Sequence, residues 1–546
     1  RERQAGVQAL VENYRLRQDL KRALQNVQDL ERLAARAVAG TASPRDLVAI
    51  KQTLFALADL RSLLAGENTD ILRALREQLS ELPEIVQLIS EAIVDDPPFS
   101  LKDGGYVRQG FDPQLDGIRS GRSQAKEWIA AFETAERRRT GINSLKVRYN
   151  RVFGYYIEIT SSNLKAVPED YIRKQTLANG ERYITPELKE YETKVLNSES
   201  LLERLEAELL GRVRGKVAGI YPLLKESSIA LACIDVLLSL AEVADSCHWV
   251  APLVDDGLIM AVREGRHPVV EAAIGRGAFV PNDCVIDPTE QQILMLTGPN
   301  MAGKSTYMRQ IALITILAQM GSFVPASEAR IGLVDRLFTR IGASDYLSRG
   351  ESTFMIEMKE TAAILEHATR RSLIILDEVG RGTSTFDGIS IAWAVAESLH
   401  ERAEHPRTLF ATHYHELTDL ARTKERIKNY NFAVKEWQGD IIFLRNLVEG
   451  AASRSYGIHV ARLAGLPAPV IDHAKAILAQ LERGGDECRG RRPYVENSGG
   501  DQPLQMTLFA SAEDRFREQL RIIDVSTMTP VEALNMLFKL SEDAKK

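Results

Sequence analysis

Long apolar runs, clustered cysteines and an excess of positive charge are all missing from this chain of 546 residues. No uninterrupted apolar stretch reaches the roughly eighteen residues that a membrane-spanning helix needs, so no membrane is expected among its partners. The four cysteines, Cys233, Cys247, Cys284 and Cys488, stand far apart with no CxxC pair. That spacing excludes the usual zinc frameworks and a disulfide scaffold, and it fits a reducing cytoplasm. The net charge of -6 excludes a generally basic nucleic-acid binder, so any such contact must come from a local patch. There is no starting Met and no signal peptide. Residues 1–26 already read as helix, which leads to the expectation that the chain begins inside a domain. What is present, 45% apolar and 26% charged residues, is ordinary for a soluble globular protein. The length suggests three or four domains.

Texture divides the chain. Residues 1–142 read as helices. Ser43 can cap a helix whose first turn holds Pro44 and Asp46; Leu47, Ile50, Leu54 and Leu57 follow at helical spacing, and Gly66 ends the stretch. Residues 143–196 form a β-rich insertion. Val147, Tyr149, Val152, Tyr155, Tyr156, Ile157 and Ile159, with charges between them, predict two or three strands. Helical spacing resumes near Glu187 and carries residues 197–250. Short apolar strands alternating with helices then predict an α/β domain over 251–483. Residues 484–504 are rich in Gly and charge and predict a flexible linker. Residues 505–546 predict a small helical element, with Thr529 to Glu532 at capping-box spacing.

One segment carries strong chemistry. The strand candidate Ile293 to Thr297 runs into Gly298, Pro299, Asn300, Met301, Ala302, Gly303, Lys304 and Ser305, and a helix follows from Thr306. Strand, Gly-framed loop, Lys-Ser and helix make a phosphate loop. The glycines let backbone N–H groups turn toward phosphate oxygens. Lys304 supplies charge for the β and γ phosphates, and Ser305 offers a hydroxyl to Mg²⁺. The competing reading, a glycine turn that matches by chance, is disfavoured by the flanking strand and helix.

A second apolar run, Ser372 to Leu376, suits a strand buried on both faces and ends in Asp377-Glu378. Acids at such a strand end face the crevice where ligands bind. Asp377 is placed to hold Mg²⁺ through water, and Glu378 to orient or deprotonate attacking water. Alone, the two carboxylates are as readily a solvated strand end. A third run, Thr408 to Thr412, ends at His413, which could reach a γ-phosphate; an isolated surface imidazole is the competing reading. His415 shares the strand end and is expected to point elsewhere.

Read together, Thr297 to Thr306, Ser352-Thr353-Phe354-Met355, Asp377 to Thr385 and Ala411-Thr412-His413-Tyr414 resemble the ABC class of ATPases and, within it, the MutS family. The likeness extends over nearly the whole chain. It implies a multidomain protein: a helical lever or core domain with a β-rich DNA-clamp insertion, an α/β P-loop ATPase domain of ABC type, and a C-terminal oligomerisation element. It implies ATP and Mg²⁺ as cofactors. Two ATPase domains pair head to tail in that family, so Ser352 would touch the nucleotide of the partner chain, and Gly380 to Thr385 would cross the interface. Phe279 lies near where the family stacks an aromatic on adenine. Residues 453–481 resemble a helix-turn-helix that braces the opposite subunit.

Residues 141–182 hold seven cations (Lys146, Arg148, Arg151, Lys165, Arg173, Lys174, Arg182) against four acids (Glu158, Glu169, Asp170, Glu181), reversing the sign of the chain. Asn150 and Asn163 add neutral donors. Such a patch suits sequence-independent contact with phosphates, although charge alone equally describes a solvated surface. With the clamp resemblance, Lys146, Arg148, Asn150, Arg151, Lys165, Arg173 and Lys174 become the candidate contacts to double-stranded DNA. Gln505, Leu508 and Phe509 resemble the short peptide that binds the replication sliding clamp; a helix-start apolar cluster is the alternative. The resemblance further implies a homodimer, or a tetramer through the C-terminal helices, the mismatch-repair partner MutL, and a bacterial, nucleoid-associated cytoplasmic location. Mismatch reading itself belongs to an N-terminal domain that is expected to be missing before Arg1. The reading is an ATP-dependent mismatch-repair clamp. Its competitors are an ATP-switched DNA scaffold without hydrolysis, which Glu378 argues against, and a family paralogue acting in recombination.

Overall fold

A computed structural model of the chain describes residues 1–150, 154–275, 277–299, 302–341, 353–437, 440–451 and 456–489. Within it the chain divides into two compact units, Arg1–Val460 and Ala461–Lys546.

The first unit opens with six helices: α1 (Glu2–Glu12), α2 (Tyr14–Leu24), α3 (Leu30–Val38), α4 (Pro44–Leu63), α5 (Asp70–Gln78) and α6 (Pro83–Ala92). Helix α4 starts where its cap dictates. The Ser43 hydroxyl accepts the Asp46 N–H at 3.2 Å, and the Asp46 carboxylate accepts the Ser43 N–H at 2.6 Å. Leu47, Ile50, Leu54 and Leu57 are all essentially sealed from solvent, each burial worth about 1.5–3 kcal/mol. They join one core with α8 (Pro186–Gly219) and α9 (Tyr221–Cys247). Among the described residues, α9 is the one helix long and apolar enough to cross a membrane, with a mean hydropathy of 1.8 over its most apolar window. Half of that window is buried, and Leu224, Leu231, Ile234 and Leu238 pack into the helical core.

The chain runs out along α7 (Pro113–Thr140) and returns along α8, and the two helices pack on each other. Trp128 of α7 stacks on Tyr191 of α8 with ring centroids 3.6 Å apart. Asp112 caps the start of α7, and Gly141, at φ 70°, ends it after three arginines. Between the helices lie four antiparallel strands, β1 (Lys146–Asn150), β2 (Gly154–Thr160), β3 (Ile172–Leu177) and β4 (Gly180–Ile184), in the order β1-β2-β4-β3. Composition suggested two or three. The charges of β3 and β4 hide their alternation, which packing of Tyr171 and Tyr183 into the small core secures. Each helix holds the sheet by a carboxylate. Glu133 accepts the Val147 N–H at 2.8 Å, and Glu192 accepts the Tyr155 N–H at 3.0 Å.

The α/β region contains two sheets. The smaller orders β5 (Leu253–Asp255), β9 (Glu328–Gly332), β6 (Met260–Gly265) and β7 (Asn282–Ile286). The larger orders β10 (Leu337–Arg340), β11 (Leu373–Asp377), β12 (Arg407–Ala411), β8 (Ile293–Thr297), β13 (Ile427–Trp437) and β14 (Asp440–Glu449). Its first five strands run parallel, and β14 closes it antiparallel. Helices α10 (Pro268–Ile274), α11 (Lys304–Met320), α12 (Thr353–His367), α13 (Thr385–Glu401) and α14 (Leu420–Thr423) connect the strands. The fully buried Arg407 ties the sheets together. Its guanidinium donates to the carbonyls of Gly332, Leu258, Leu333 and Arg371 at 2.6–3.2 Å.

Helix α15 (Gly457–Leu463) runs from the first unit into the second, to which α16 (Ala468–Arg489) belongs. A linker was expected from residue 484, but α16 continues through Gly484 and Gly485 to Arg489. Each interior glycine costs about 1 kcal/mol of helix propensity, which the helix-compatible residues around them outweigh. Residues 490–504 of that expected linker, residues 505–546 with Gln505, Leu508 and Phe509, and the first part of the expected bracing segment at 453–455 lie outside the described residues.

Candidate nucleotide site

Parallel pairing decides which residues meet. Asp377 on β11 is level with Ala411 on β12, which is level with Leu296 on β8. The segments after these three adjacent strands therefore leave the same sheet edge. Gly298 follows β8 at φ 119°, and Gly303 precedes α11 at φ 109°. Both values demand glycine. Lys304 then opens α11, is 1% exposed, and folds its ammonium back to donate to the Gly298 carbonyl. Burial lowers its pKa, and the nearby charges of Glu378 and Asp377 oppose that shift. Asp377 moves the other way. Burial raises its pKa and the charge of Glu378 adds to the rise, while a hydrogen bond from Ser305 and the charge of Lys304 lower it.

Lys304, Ser305, Asp377 and Glu378 border one cavity of about 490 Å³, which Arg381 and Glu357 also line. Glu378 adopts φ 57°, a left-handed conformation that is strained for a side chain bearing Cβ. Its carboxylate pairs with Arg381 at 2.5 Å. His413 does not border this cavity. It lines a neighbouring one of about 290 Å³ with Gly298, Pro299, Thr412, Glu378 and Arg381, so the Glu378–Arg381 pair walls both. Burial lowers the pKa of His413, with Glu378 opposing. His415 lines the second cavity too, contrary to the expectation that it points elsewhere: the chain turns into a 3₁₀ segment at His415 instead of continuing the strand's alternation. Phe279 lies on a third cavity, of about 320 Å³, with Ala302, Gly303 and Thr306. Asn300, Met301 and Ser352 lie outside the described residues.

Among the described residues no group of three or more His, Cys, Asp or Glu makes a metal cage. Ser305 and Asp377 offer one hydroxyl and one carboxylate. That donor pair fits Mg²⁺, a hard ion that fills its remaining positions with water and phosphate oxygens.

The expected DNA contacts lie on the four-stranded sheet and its turns. Lys146, Arg148 and Asn150 alternate along β1, so they share a face with Glu158 and Arg182 of the neighbouring strands. Glu158 sits 3.7 Å from Arg148 and 3.5 Å from Arg182, and Glu181 sits 3.4 Å from Arg173. Lys146, Lys165 and Lys174 are exposed and have no ion pair among the described residues. Arg151 lies outside them.

Residues 110–201 match the family described as MutS family domain IV, and residues 294–482 match MutS domain V. The chain is 52% identical over 545 residues to the DNA mismatch repair protein MutS of Symbiobacterium thermophilum, covering 100% of this chain and 62% of that protein. It is 49% identical to the MutS proteins of Salinibacter ruber and Acetivibrio thermocellus, covering 99% and 100% of this chain and 63% of each relative.

The chain belongs to the MutS family. It spans about 62% of the length of the curated MutS relatives it matches. The MutS domain IV match takes in the sheet together with all of α7 and the first half of α8. The MutS domain V match begins in β8, so Phe279 precedes it.

Several contacts around the cavity escaped the sequence reading. Glu357 of α12 accepts the Gly380 N–H at 2.6 Å and pairs with Arg340 at 3.3 Å. The Tyr414 hydroxyl donates to the Gly380 carbonyl at 3.0 Å. Gly380 and Gly388 touch so closely that a Cβ on Gly380 would lie 2.5 Å from the Gly388 carbonyl oxygen. These contacts pin the backbone that carries Glu378 and Arg381. The glycine pair was a visible signal; Glu357 had none.

Proposed function

We propose that this MutS-family chain is an ATP-hydrolysing, DNA-holding part of a mismatch-repair protein. The observation that carries the reading is the convergence of Lys304, Ser305, Asp377 and Glu378 on one cavity at the ends of adjacent parallel strands.

In this reading Lys304 and the N–H groups of the phosphate loop hold the triphosphate. Ser305 and Asp377 would hold Mg²⁺, which neutralises charge on the phosphates when bound. Glu378 orients the attacking water and accepts its proton, and the adjacent Arg381 holds its carboxylate in place. His413, kept neutral by its lowered pKa, is available to hydrogen-bond a γ-phosphate oxygen from the far side of Glu378. Phe279 stacks on the base. In the family arrangement two copies pair head to tail, and Ser352 of one completes the site of the other. The four-stranded sheet holds double-stranded DNA through Lys146, Lys165 and Lys174, with Arg148 and Arg173 contributing once released from their acids. ATP binding closes this dimer around DNA, and α7 and α8 connect the sheet to the helical core that carries the change. Partners in this reading are MutL, the sliding clamp through Gln505, Leu508 and Phe509, and a second dimer through residues 505–546.

Two variants test it. Lys304→Ala should abolish ATP binding in an equilibrium titration. Glu378→Gln should bind ATP as the parent does and cleave it about 10²–10⁴-fold more slowly in a single turnover. A parent chain that binds ATP yet releases no phosphate above background would instead support the non-hydrolysing scaffold.

A further inference from the structure

We propose that Tyr414 is a positioning residue for cleavage, its hydroxyl holding Glu378 in the left-handed backbone that sets the carboxylate on the nucleotide cavity. The inference rests on the nucleotide reading above and deepens it. Glu378 directly follows β11 and stands at φ 57°. A residue bearing a Cβ keeps such a conformation only where its surroundings hold it. Here the end of β12 holds it from both sides. The Glu378 N–H donates to the Ala411 carbonyl at 3.0 Å, which extends the pairing of the two strands to the strained residue itself. Two residues later the Gly380 carbonyl accepts the Tyr414 hydroxyl at 3.0 Å. One bond fixes the entry to the strained turn and the other fixes its exit.

Tyr414 is itself well anchored. It is 6% exposed and shares a core with Leu376, Val379 and Ala392. Its N–H donates to the Thr412 hydroxyl at 3.0 Å, and its ring lies against that of His413 with centroids 4.0 Å apart. Burial raises the pKa of the hydroxyl and the charge of Glu357 adds to the rise, so it stays a donor through the neutral range. Space is kept for it. A Cβ on Gly388 of α13 would stand 2.4 Å from the hydroxyl oxygen.

The hydroxyl supplies what the ring cannot. Tyr414 borders neither the cavity of about 490 Å³ nor that of about 290 Å³, so its effect on cleavage passes through backbone. Phenylalanine would fill the same core and leave the Gly380 carbonyl without this donor. The strained turn is then free to relax, and the Glu378 carboxylate spends less time in place. A positioned reaction slows steeply with displacements of this order. The phosphate loop, which holds the triphosphate, is not touched.

The test uses the full chain. It compares Tyr414→Phe with the parent, alone and combined with Glu378→Gln, by single-turnover ATP cleavage, an equilibrium ATP titration and a thermal melt. Tyr414→Phe should slow cleavage about tenfold while ATP affinity stays within about twofold. In Glu378→Gln the carboxylate is already gone, so adding Tyr414→Phe should leave the residual rate unchanged, as expected of two residues that act as one unit. A lower melting temperature with parental cleavage would give the hydroxyl a purely stabilising role and overturns the assignment. An equal loss of rate in both backgrounds overturns it too, because Tyr414 would then act without Glu378. Either result leaves the nucleotide reading intact, whereas failure of the parent to cleave bound ATP overturns both.

Discussion

Removing Glu357 should slow hydrolysis without loosening ATP. The residue sits in α12, 5% exposed, and touches the site through backbone. One carboxylate oxygen accepts the Gly380 N–H at 2.6 Å. The other faces Arg340 at 3.3 Å, itself buried, whose remaining carboxylate neighbour is the half-exposed Glu360. Glu357→Ala deletes a hydrogen bond to a charged acceptor, worth about 1.5–3 kcal/mol. It also strands a buried N–H and half of a buried ion pair, a loss of about 3–5 kcal/mol when one partner alone is removed. These costs overlap, so about 3 kcal/mol is the working figure. In a unit of this size that lowers the melting temperature by about 3 °C. The functional effect follows from position. Gly380 stands two residues after Glu378 and one before Arg381, and its carbonyl remains held by Tyr414. Release of one side lets the loop shift by a fraction of an ångström to an ångström, enough to slow a positioned reaction about 10–100-fold. ATP affinity should stay within about twofold, since the phosphate loop is untouched. Glu357→Gln keeps an acceptor for Gly380 and should recover much of the rate. Single-turnover cleavage measured beside an ATP titration and a thermal melt checks all three. A lower melting temperature with parental cleavage would show that Glu357 only stabilises the fold and would refute the positioning argument.

Two further outcomes are expected. Replacing Lys146, Lys165 and Lys174 with Glu should weaken DNA binding equally on all sequences and flatten the plot of log affinity against log salt by about 0.9 for each phosphate no longer neutralised; an unchanged slope would remove the sheet from the interface. Asp95, held by Arg108 and Lys51, has its carboxyl pKa lowered from 3.8 to about 2. Since the folded value is the lower one, its stabilisation is present above pH 3.8 and lost as pH falls through about 2. Asp95→Asn should therefore reduce the acid sensitivity of the melting temperature across that window, and identical pH profiles would discount the cluster.

Local chemistry was legible in the sequence; pairings across long separations were not. The strands Ile293–Thr297 and Leu373–Asp377 announce themselves as apolar runs because both faces are buried. The start of α4 is written in four consecutive residues. By contrast, β3 and β4 alternate charges with few apolar residues, and only the tyrosines beneath them reveal the inner face. Glu357 and Gly380 are 23 positions apart, so no spacing rule joins them. Charge counting likewise gives a balance but not the pairing that sets Arg148, Arg173 and Arg182 beside acids on adjacent strands. The end of α16 was misread because two glycines suggest a break that the helix passes through.

The left-handed backbone of Glu378 sets thermal endurance against turnover at a single position. Glycine would adopt that conformation without strain, relieving about 1–3 kcal/mol. Breeding the protein for heat resistance alone would thus drive position 378 toward glycine and discard the carboxylate to which the proposed cleavage is assigned. Engineers seeking a hardier version must look for their gains elsewhere and leave this strained turn as it is.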